Sequence, residues 1–539
     1  MRRWAAFLPA APTGLFLLVV VALPALAVFT AAWTATGGAS GFGAALSDPL
    51  NRQALANSLE QGAVSALAAG AVGYPVGVWL GRYTFRGASA IRSFLLLPFL
   101  LPSLVVVLGV QEMFGPAGVV GSADPLLGGL GTGFAGIVVV NVFFNAPMVA
   151  LLTASAVEGS PQEQEDAVAV LGGSPSQAYR EIWGPLSWIG AGAGMLLTFL
   201  LSALGFAAPL LVCGARCYTL EVRIWSLSQV YVLPGEAGML ALLTVLVLTV
   251  PTLLYLRQVE LARRRVARRA RPPRPFPWRA RRNWPLLGYC LVFLSAVVAL
   301  LGLLLVRSVV GPTGSSSFAG WQALFSPTAT QRLGFSTSAA VVNSLAFAAG
   351  AAVIALMLAV GAAYTLQRRA GAAGLVGYLL FLPLLISPVL LAFGLATLWR
   401  PLLGGGSSTW LLIILSQATV ALPFTVQSLR LALARLGPGP WEAARTLGRG
   451  PFDAHLDVEL PRVRAGLVGA ALFAFAIGLG EFTATFFLFL PAFATLPVEL
   501  DRLDALRLGG AADALAALLL LVSAAVFVIV AWGGRRLEL

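Results

Sequence analysis

Side chains able to do chemistry are scarce in this 539-residue chain, and how they recur says more than how many there are. Two acids, Asp166 and Glu442, open segments that repeat each other without a gap. DAVAVLGGSPSQAYREIWGP (166–185) and EAARTLGRGPFDAHLDVELP (442–461) share Ala167/Ala443, Leu171/Leu447, Gly172/Gly448, Pro175/Pro451, Ala178/Ala454 and Pro185/Pro461. A third acid, Glu481, stands inside an apolar run, with Gly205 at the matching place. A carboxylate in hydrocarbon costs a few kcal/mol on insertion scales and usually faces a cavity or a partner. Glu481 therefore reads as lining a pathway for a cationic solute, or as paired to a loop near the outer end of its span.

The remaining candidates are weaker. Phe206 and Phe482 occupy equivalent positions and suit either a two-fold hydrophobic gate or core packing. Asn141 and Asn145 suit either a pathway lining or bonds between helices. Cys213 and Cys217, in CGARC, read more readily as two free thiols than as a bridge. With one histidine, His455, there is no His-rich metal centre, and its polar segment predicts a solvated ring. No nucleophile–base pair is evident. The chain has no lysine, so it cannot form a P-loop, whose lysine holds the phosphates.

The elements that carry these residues are set by composition. The chain is 58% hydrophobic and 11% charged, with mean hydropathy +0.88. About 20 apolar residues span a bilayer as a helix. Such stretches occur near 14–36, 56–81, 90–113, 131–157, 189–212, 237–257, 285–309, 339–366, 373–400, 408–434, 464–490 and 511–533, about twelve in all. They lack the ten-residue alternation of barrel strands. The N-terminal run continues past Ala27 and reads as a retained helix, not a cleaved signal. The net charge of +13 comes from loop arginines: Arg2 and Arg3, Arg82 to Arg92, Arg257 to Arg282, Arg368 and Arg369, Arg535 and Arg536. By the positive-inside rule these loops, both termini and both repeated segments are cytoplasmic. That pattern argues for lipid, not nucleic acid, as the partner of the basic charge.

The duplication covers the whole chain. Asn57-Ser58-Leu59 recurs as Asn343-Ser344-Leu345, Pro98 as Pro383, Gly109 as Gly394, Pro147 as Pro423, Phe199 as Phe475, and Thr219-Leu220 as Thr495-Leu496. The offset changes from 285–286 to 276, which puts about nine extra residues in the loop around Phe114–Gly129. Residues 1–257 and 285–539 form two transmembrane halves of six spans each. An even number inserts both the same way round, about a pseudo-two-fold axis along the membrane normal. Residues 258–284 form a basic Pro/Arg linker that cannot fold compactly.

Within each repeat, a short helix carries the acid and ends at a glycine able to take positive φ, Gly172 or Gly448. Ala443, Ala444 and Leu447 share a face. A second helix starts at Ser174-Pro175 or Gly450-Pro451, and Pro185 or Pro461 stops it before the next span.

This spacing of acid, alanine, glycine and proline resembles the EAA loop of ABC importer permeases, and two copies in one chain resemble the fused branch of the type I group. The first copy departs from the pattern at Asp166, Val168 and Gly184. The resemblance implies an all-α polytopic bundle, with Asp166, Ala167, Gly172, Pro185, Glu442, Ala443, Ala444, Gly448 and Pro461 forming two ATPase-coupling elements. It implies two copies of a separate ATPase that bind ATP and Mg, a periplasmic or lipid-anchored binding protein, a location in the inner membrane, and no cofactor or metal on this chain. GEFTATFFL (480–488) and TLPVELDRL (495–503) are similar to permeases of the thiamine and iron(III) group. YTLEVRIWSLSQ (218–229) is more similar to the thiamine members. An ion-coupled carrier with the same span count is the rival class.

Overall fold

A polypeptide in lipid must satisfy its backbone internally, and helices do so. The computed structural model describes residues 8–95, 97–160, 162–213, 217–265, 274–276, 284–310, 317–368, 370–380 and 382–537. Among these, nine helices are long and apolar enough to cross a membrane. They are span 1 (Leu8–Ala35), span 2 (Pro49–Arg82), span 4 (Gly133–Glu158), span 5 (Pro175–Ala203), span 6 (Pro234–Leu261), span 7 (Trp284–Arg307), span 8 (Thr337–Arg368), span 10 (Gly405–Leu436) and span 12 (Gly509–Val526). Span 11 (Arg464–Gly480) meets the preceding Pro451–Arg462 at an 84° bend.

The other two expected spans are not continuous helices. Span 3 is Ala88–Phe94, Leu97–Leu100 and Ser103–Phe114, and span 9 is Ala370–Leu380, Leu382–Leu385 and Pro388–Leu402. Each carries a pair of prolines in its middle, Pro98 and Pro102 or Pro383 and Pro388. A proline lacks the N–H and clashes one turn back, and the helix is interrupted at Leu101–Pro102 and at Ile386–Ser387, beside the second proline of each pair. Spans 5 and 11 also stop earlier than expected, at Ala203 and Gly480, and irregular chain follows each. The helix of span 6 continues to Arg265, beyond its expected end.

Small residues bring the helices of each half together. Gly73, Gly77 and Gly81 of span 2 face span 4, where an added Cβ would collide with the carbonyls of Ala146, Ala150 and Ala154. Ala359 and Ala363, both fully buried, take the first two of these places on span 8. Such stripes let backbones approach closely where lipid supplies no hydrophobic drive between helices.

The sequence halves are not the packing halves. Span 1 lies on the second half: the Thr13 hydroxyl donates to Leu358 O at 2.8 Å, and Trp399 Nε1 donates to Val19 O at 3.0 Å. Span 7 lies on the first half, where Tyr289 donates to Val72 O at 3.1 Å and Arg307 pairs with Glu112 at 3.0 Å. The matched glycines explain themselves here. A Cβ on Gly109 would come within 2.6 Å of Leu300 on span 7, and one on Gly394 within 2.8 Å of Pro24 on span 1. Each half thus receives the other's first helix at the same glycine.

Residues 266–273 and 277–283 of the expected linker lie outside the described residues. Between them, Arg274–Pro275 run parallel to Tyr83–Thr84. Phe276 is buried edge-on against Tyr83, with ring centroids 5.2 Å apart. Burying a phenylalanine contributes about 1.5–3 kcal/mol, enough to hold the chain at the end of span 2.

Candidate functional site

A cavity of about 310 Å³ lies between spans 4 and 5 of the first half and spans 10 and 11 of the second. Asn141, Asn145, Phe206, Glu481 and Phe482 all line it, so one space collects every pathway candidate from the sequence. The amide nitrogen of Asn141 donates to Ser65 Oγ at 3.1 Å, and that of Asn145 to Asn141 O at 2.8 Å. Glu481 is buried just beyond the last turn of span 11. One carboxylate oxygen accepts from Ala484 N at 2.7 Å and the other from Thr485 N at 3.0 Å. It therefore caps the short helix Thr483–Phe487 while lining the cavity.

Aromatic rings cluster at the Phe206/Phe482 side of this space. Phe206 and Phe482 stand 6.2 Å apart, Phe482 and Phe486 5.0 Å, Phe206 and Trp225 6.0 Å, and Trp225 and Phe486 5.5 Å. Phe206 follows the helix Gly184–Ala203, whose 20 residues put it about 30 Å from the repeated segment where that helix starts. The aromatic cluster therefore lies at the end remote from the repeats.

The repeated segments share their turn. Gly172 has φ +78° and Gly448 φ +87°, and an added Cβ at either meets nothing within 4 Å. In the first copy Ser174 and Gln177 form a reciprocal capping box, with bonds of 3.3 and 2.7 Å. Beside each glycine an apolar side chain is left in the open: Leu171 is 86% exposed and Leu447 85%. Asp166, Ala167, Glu442 and Ala443 are exposed too. Ala444 departs from the expected shared face and is buried.

The matched prolines have different outcomes. Pro461 precedes the 84° bend at Val463. Pro185 stops nothing, because helix runs unbroken from Pro175 to Ala203. A wider π turn, Tyr179–Trp183, precedes it and removes the clash and the missing bond that a proline imposes on an α-helix.

His455 is buried, not solvated as its segment predicts. Its ring lies 5.1 Å from Tyr364 and 6.0 Å from Phe452, and Nδ1 sits 2.7 Å from Glu459 Oε2. Glu459 also accepts from Arg368 of span 8. Burial alone would raise the Glu459 carboxyl, but the bonds and charges of His455 and Arg368 outweigh it and hold the group below the usual range.

Known proteins decide the family. Residues 73–268 match the family model for the binding-protein-dependent transport system inner membrane component. The chain is 33% identical over 156 residues to the molybdenum transport system permease protein ModB of Azotobacter vinelandii, covering 27% of this chain and 69% of that one. The chain belongs to this family of ABC importer permeases. It is also 27% identical over 433 residues to the thiamine transport system permease protein ThiP of Brucella abortus (strain 2308), covering 78% of this chain and 77% of that one. The permease is thus a multi-pass membrane transport subunit of the type I fold, not an enzyme.

Other features of the permease carry no comparable mark in its sequence. Ser103, Phe144, Phe424 and Thr483 also line the cavity, and Trp225 and Phe486 complete the aromatic cluster. Neither of the last two has an aromatic counterpart in the other half, so the duplication could not flag them. Glu221 and Glu499 are fully buried in short helices outside the spans, Leu220–Trp225 and Leu496–Ala505. Burial pushes Glu221 up to about 8 and Glu499 up to about 7. Cys213 and Cys217, expected as free thiols, form a disulfide; their Cα atoms are 5.5 Å apart, within bridging range.

Proposed function

We propose that this permease imports a small organic cation of the thiamine kind through the inner membrane. A periplasmic or lipid-anchored binding protein delivers the solute, and two copies of a separate ATPase, which bind ATP and Mg, drive it by alternating access. One observation carries the substrate reading: Glu481 is the only charged side chain among the described residues lining the cavity. A carboxylate that shares a cavity with Phe144 and Phe424 attracts an organic cation through charge and ring faces. It repels an oxyanion such as molybdate. Iron(III) favours several hard oxygen ligands, and one carboxylate that already caps a helix is a poor match. Similarity to the thiamine permease along both halves supports the same reading.

The positive-inside pattern supports cytoplasmic termini and cytoplasmic repeats. On that topology the aromatic cluster is an outer gate, with Phe206 and Phe482 at its centre, and the tips carrying Leu171 and Leu447 are the docking knobs for the two ATPase copies. Asp166 and Glu442 present charge beside them. Binding of ATP shifts the equilibrium only by its differential affinity for the two states.

Uptake into proteoliposomes holding the permease, its ATPase and its binding protein tests the reading. Thiamine should accumulate with ATP, and Glu481→Gln should slow this by about tenfold, the scale of one lost charge-assisted contact. Uptake of molybdate or iron(III) in preference to thiamine would overturn the substrate assignment. Proton-driven accumulation by the permease alone would restore the carrier reading.

A further inference from the structure

Each half ends its second span on an arginine, and both arginines are held in the same unusual way. Arg82 ends span 2 and Arg368 ends span 8, at the offset of 286 that also aligns Asn57 with Asn343. Arg82 donates to both oxygens of Glu165, at 3.4 and 3.1 Å, and its guanidinium lies 4.2 Å from the Trp183 ring centroid. Arg368 pairs with Glu459 and lies 4.8 Å from the Trp441 ring centroid. The acids are almost fully buried, at 5% and 1% side-chain exposure, and the arginines are largely buried.

The acid and the indole have exchanged places between the halves. At the offset of 276 that aligns the repeats, Glu165 corresponds to Trp441 and Trp183 to Glu459. Glu165 and Trp441 lie on the helix before the positive-φ glycine, Gln162–Val170 or Gly439–Thr446. Trp183 and Glu459 are each the last residue of the π turn after it, Tyr179–Trp183 or His455–Glu459. In both halves one guanidinium therefore touches both limbs of the repeated segment, by charge on one limb and by ring face on the other. The contacts are the same while the residues supplying them are reversed, so what the halves share is the clamp rather than the residue at either position.

We propose that Arg82 and Arg368 are positioning residues that clamp both limbs of each coupling segment to the end of span 2 or span 8, so that a displacement of the exposed tip moves that span. Arginine suits this role because its planar group pairs with a carboxylate and stacks on an indole at once; lysine offers only a point charge. The role in transport rests on the ATPase-coupled reading above, whereas the clamp itself is measurable on the permease alone.

The test is a residue swap. Hydrogen exchange of residues 162–183 is followed in purified permease in nanodiscs. Glu165→Trp alone leaves the guanidinium without its carboxylate, and Trp183→Glu alone leaves it between two acids. Each should speed exchange by about tenfold or more, as expected on breaking a largely buried pair. The double variant Glu165→Trp/Trp183→Glu copies the arrangement of the second half and should return exchange to within about threefold of the native rate. Adding Arg82→Ala to the double variant should abolish that recovery. With the ATPase and binding protein present, the single variants should lower the maximal uptake rate at unchanged solute KM, and the double should recover it. A double variant exchanging as fast as either single, or a recovery that survives Arg82→Ala, would overturn the clamp. Exchange is read without an ATPase, so failure of the clamp and failure of the ATP-driven reading are separate outcomes.

Discussion

Replacing Gly448 tests whether the tips work through backbone shape. Its φ of +87° is a region that residues with a Cβ avoid, at about 1–2 kcal/mol each. A Cβ there meets nothing within 4 Å, so the whole cost is local strain and none is a clash. Asparagine, which visits this region, should cost a few tenths of a kcal/mol, alanine about 1 and the β-branched valine about 2. Two kcal/mol lowers the fraction of correctly shaped tips by about thirtyfold. Gly172, at +78° with the same empty surroundings, should follow the same order. The tips are on separate segments, so the costs add. The double Gly172→Val/Gly448→Val variant should then lose about a thousandfold in docking. Co-purification of the ATPase, with transport-linked hydrolysis, reads the effect while membrane abundance stays normal. Normal assembly in the double valine variant would refute the reasoning. So would an asparagine variant as damaged as the valine one, since bulk and not backbone would then be the cause.

Stability should also fall with rising pH. Burial raises Glu499 to about 7, so the folded permease holds that proton more tightly than the unfolded chain. The contribution is fully present below the ordinary carboxyl value of 4.5 and is lost as pH rises through about 7, at most about 3 kcal/mol. The thermal midpoint should drop between about pH 5 and 8, and Glu499→Gln should flatten the slope and raise the midpoint at the upper end; a Gln variant less stable there would contradict this. Gly109→Val and Gly394→Val should each loosen the exchanged first helices by about 1–3 kcal/mol through overpacking. Cysteine crosslinking between span 1 and span 9 should then fail in Gly394→Val yet persist in Gly109→Val, and equal loss in both would argue against local contacts.

Hydropathy made the spans legible because lipid demands a fixed apolar length, and duplication made Gly172, Gly448, Phe206 and Phe482 legible as matched pairs. The breaks in spans 3 and 9 were hidden because hydropathy is blind to a missing N–H, although Pro98, Pro102, Pro383 and Pro388 carried the signal. Pro185 and Pro461 look alike in sequence, and the difference lies in the turns around them. The burial of His455 depends on Tyr364, which is contributed by a distant span. Phe144 and Phe424 are apolar residues in apolar helices, and only assembly of the halves turns them toward a shared space.

The exchange of first helices also bears on how the chain is made. Thr13 finds its acceptor at Leu358, 345 residues later. At ribosomal rates of about 5–20 residues per second, span 1 waits roughly 20–70 s in the bilayer before its site exists. Were the halves separate polypeptides, each would insert with a first helix that belongs on its neighbour, and orphan subunits would expose that mismatch to quality control. Joining them guarantees one partner per helix and makes the timing of assembly a property of a single translation event.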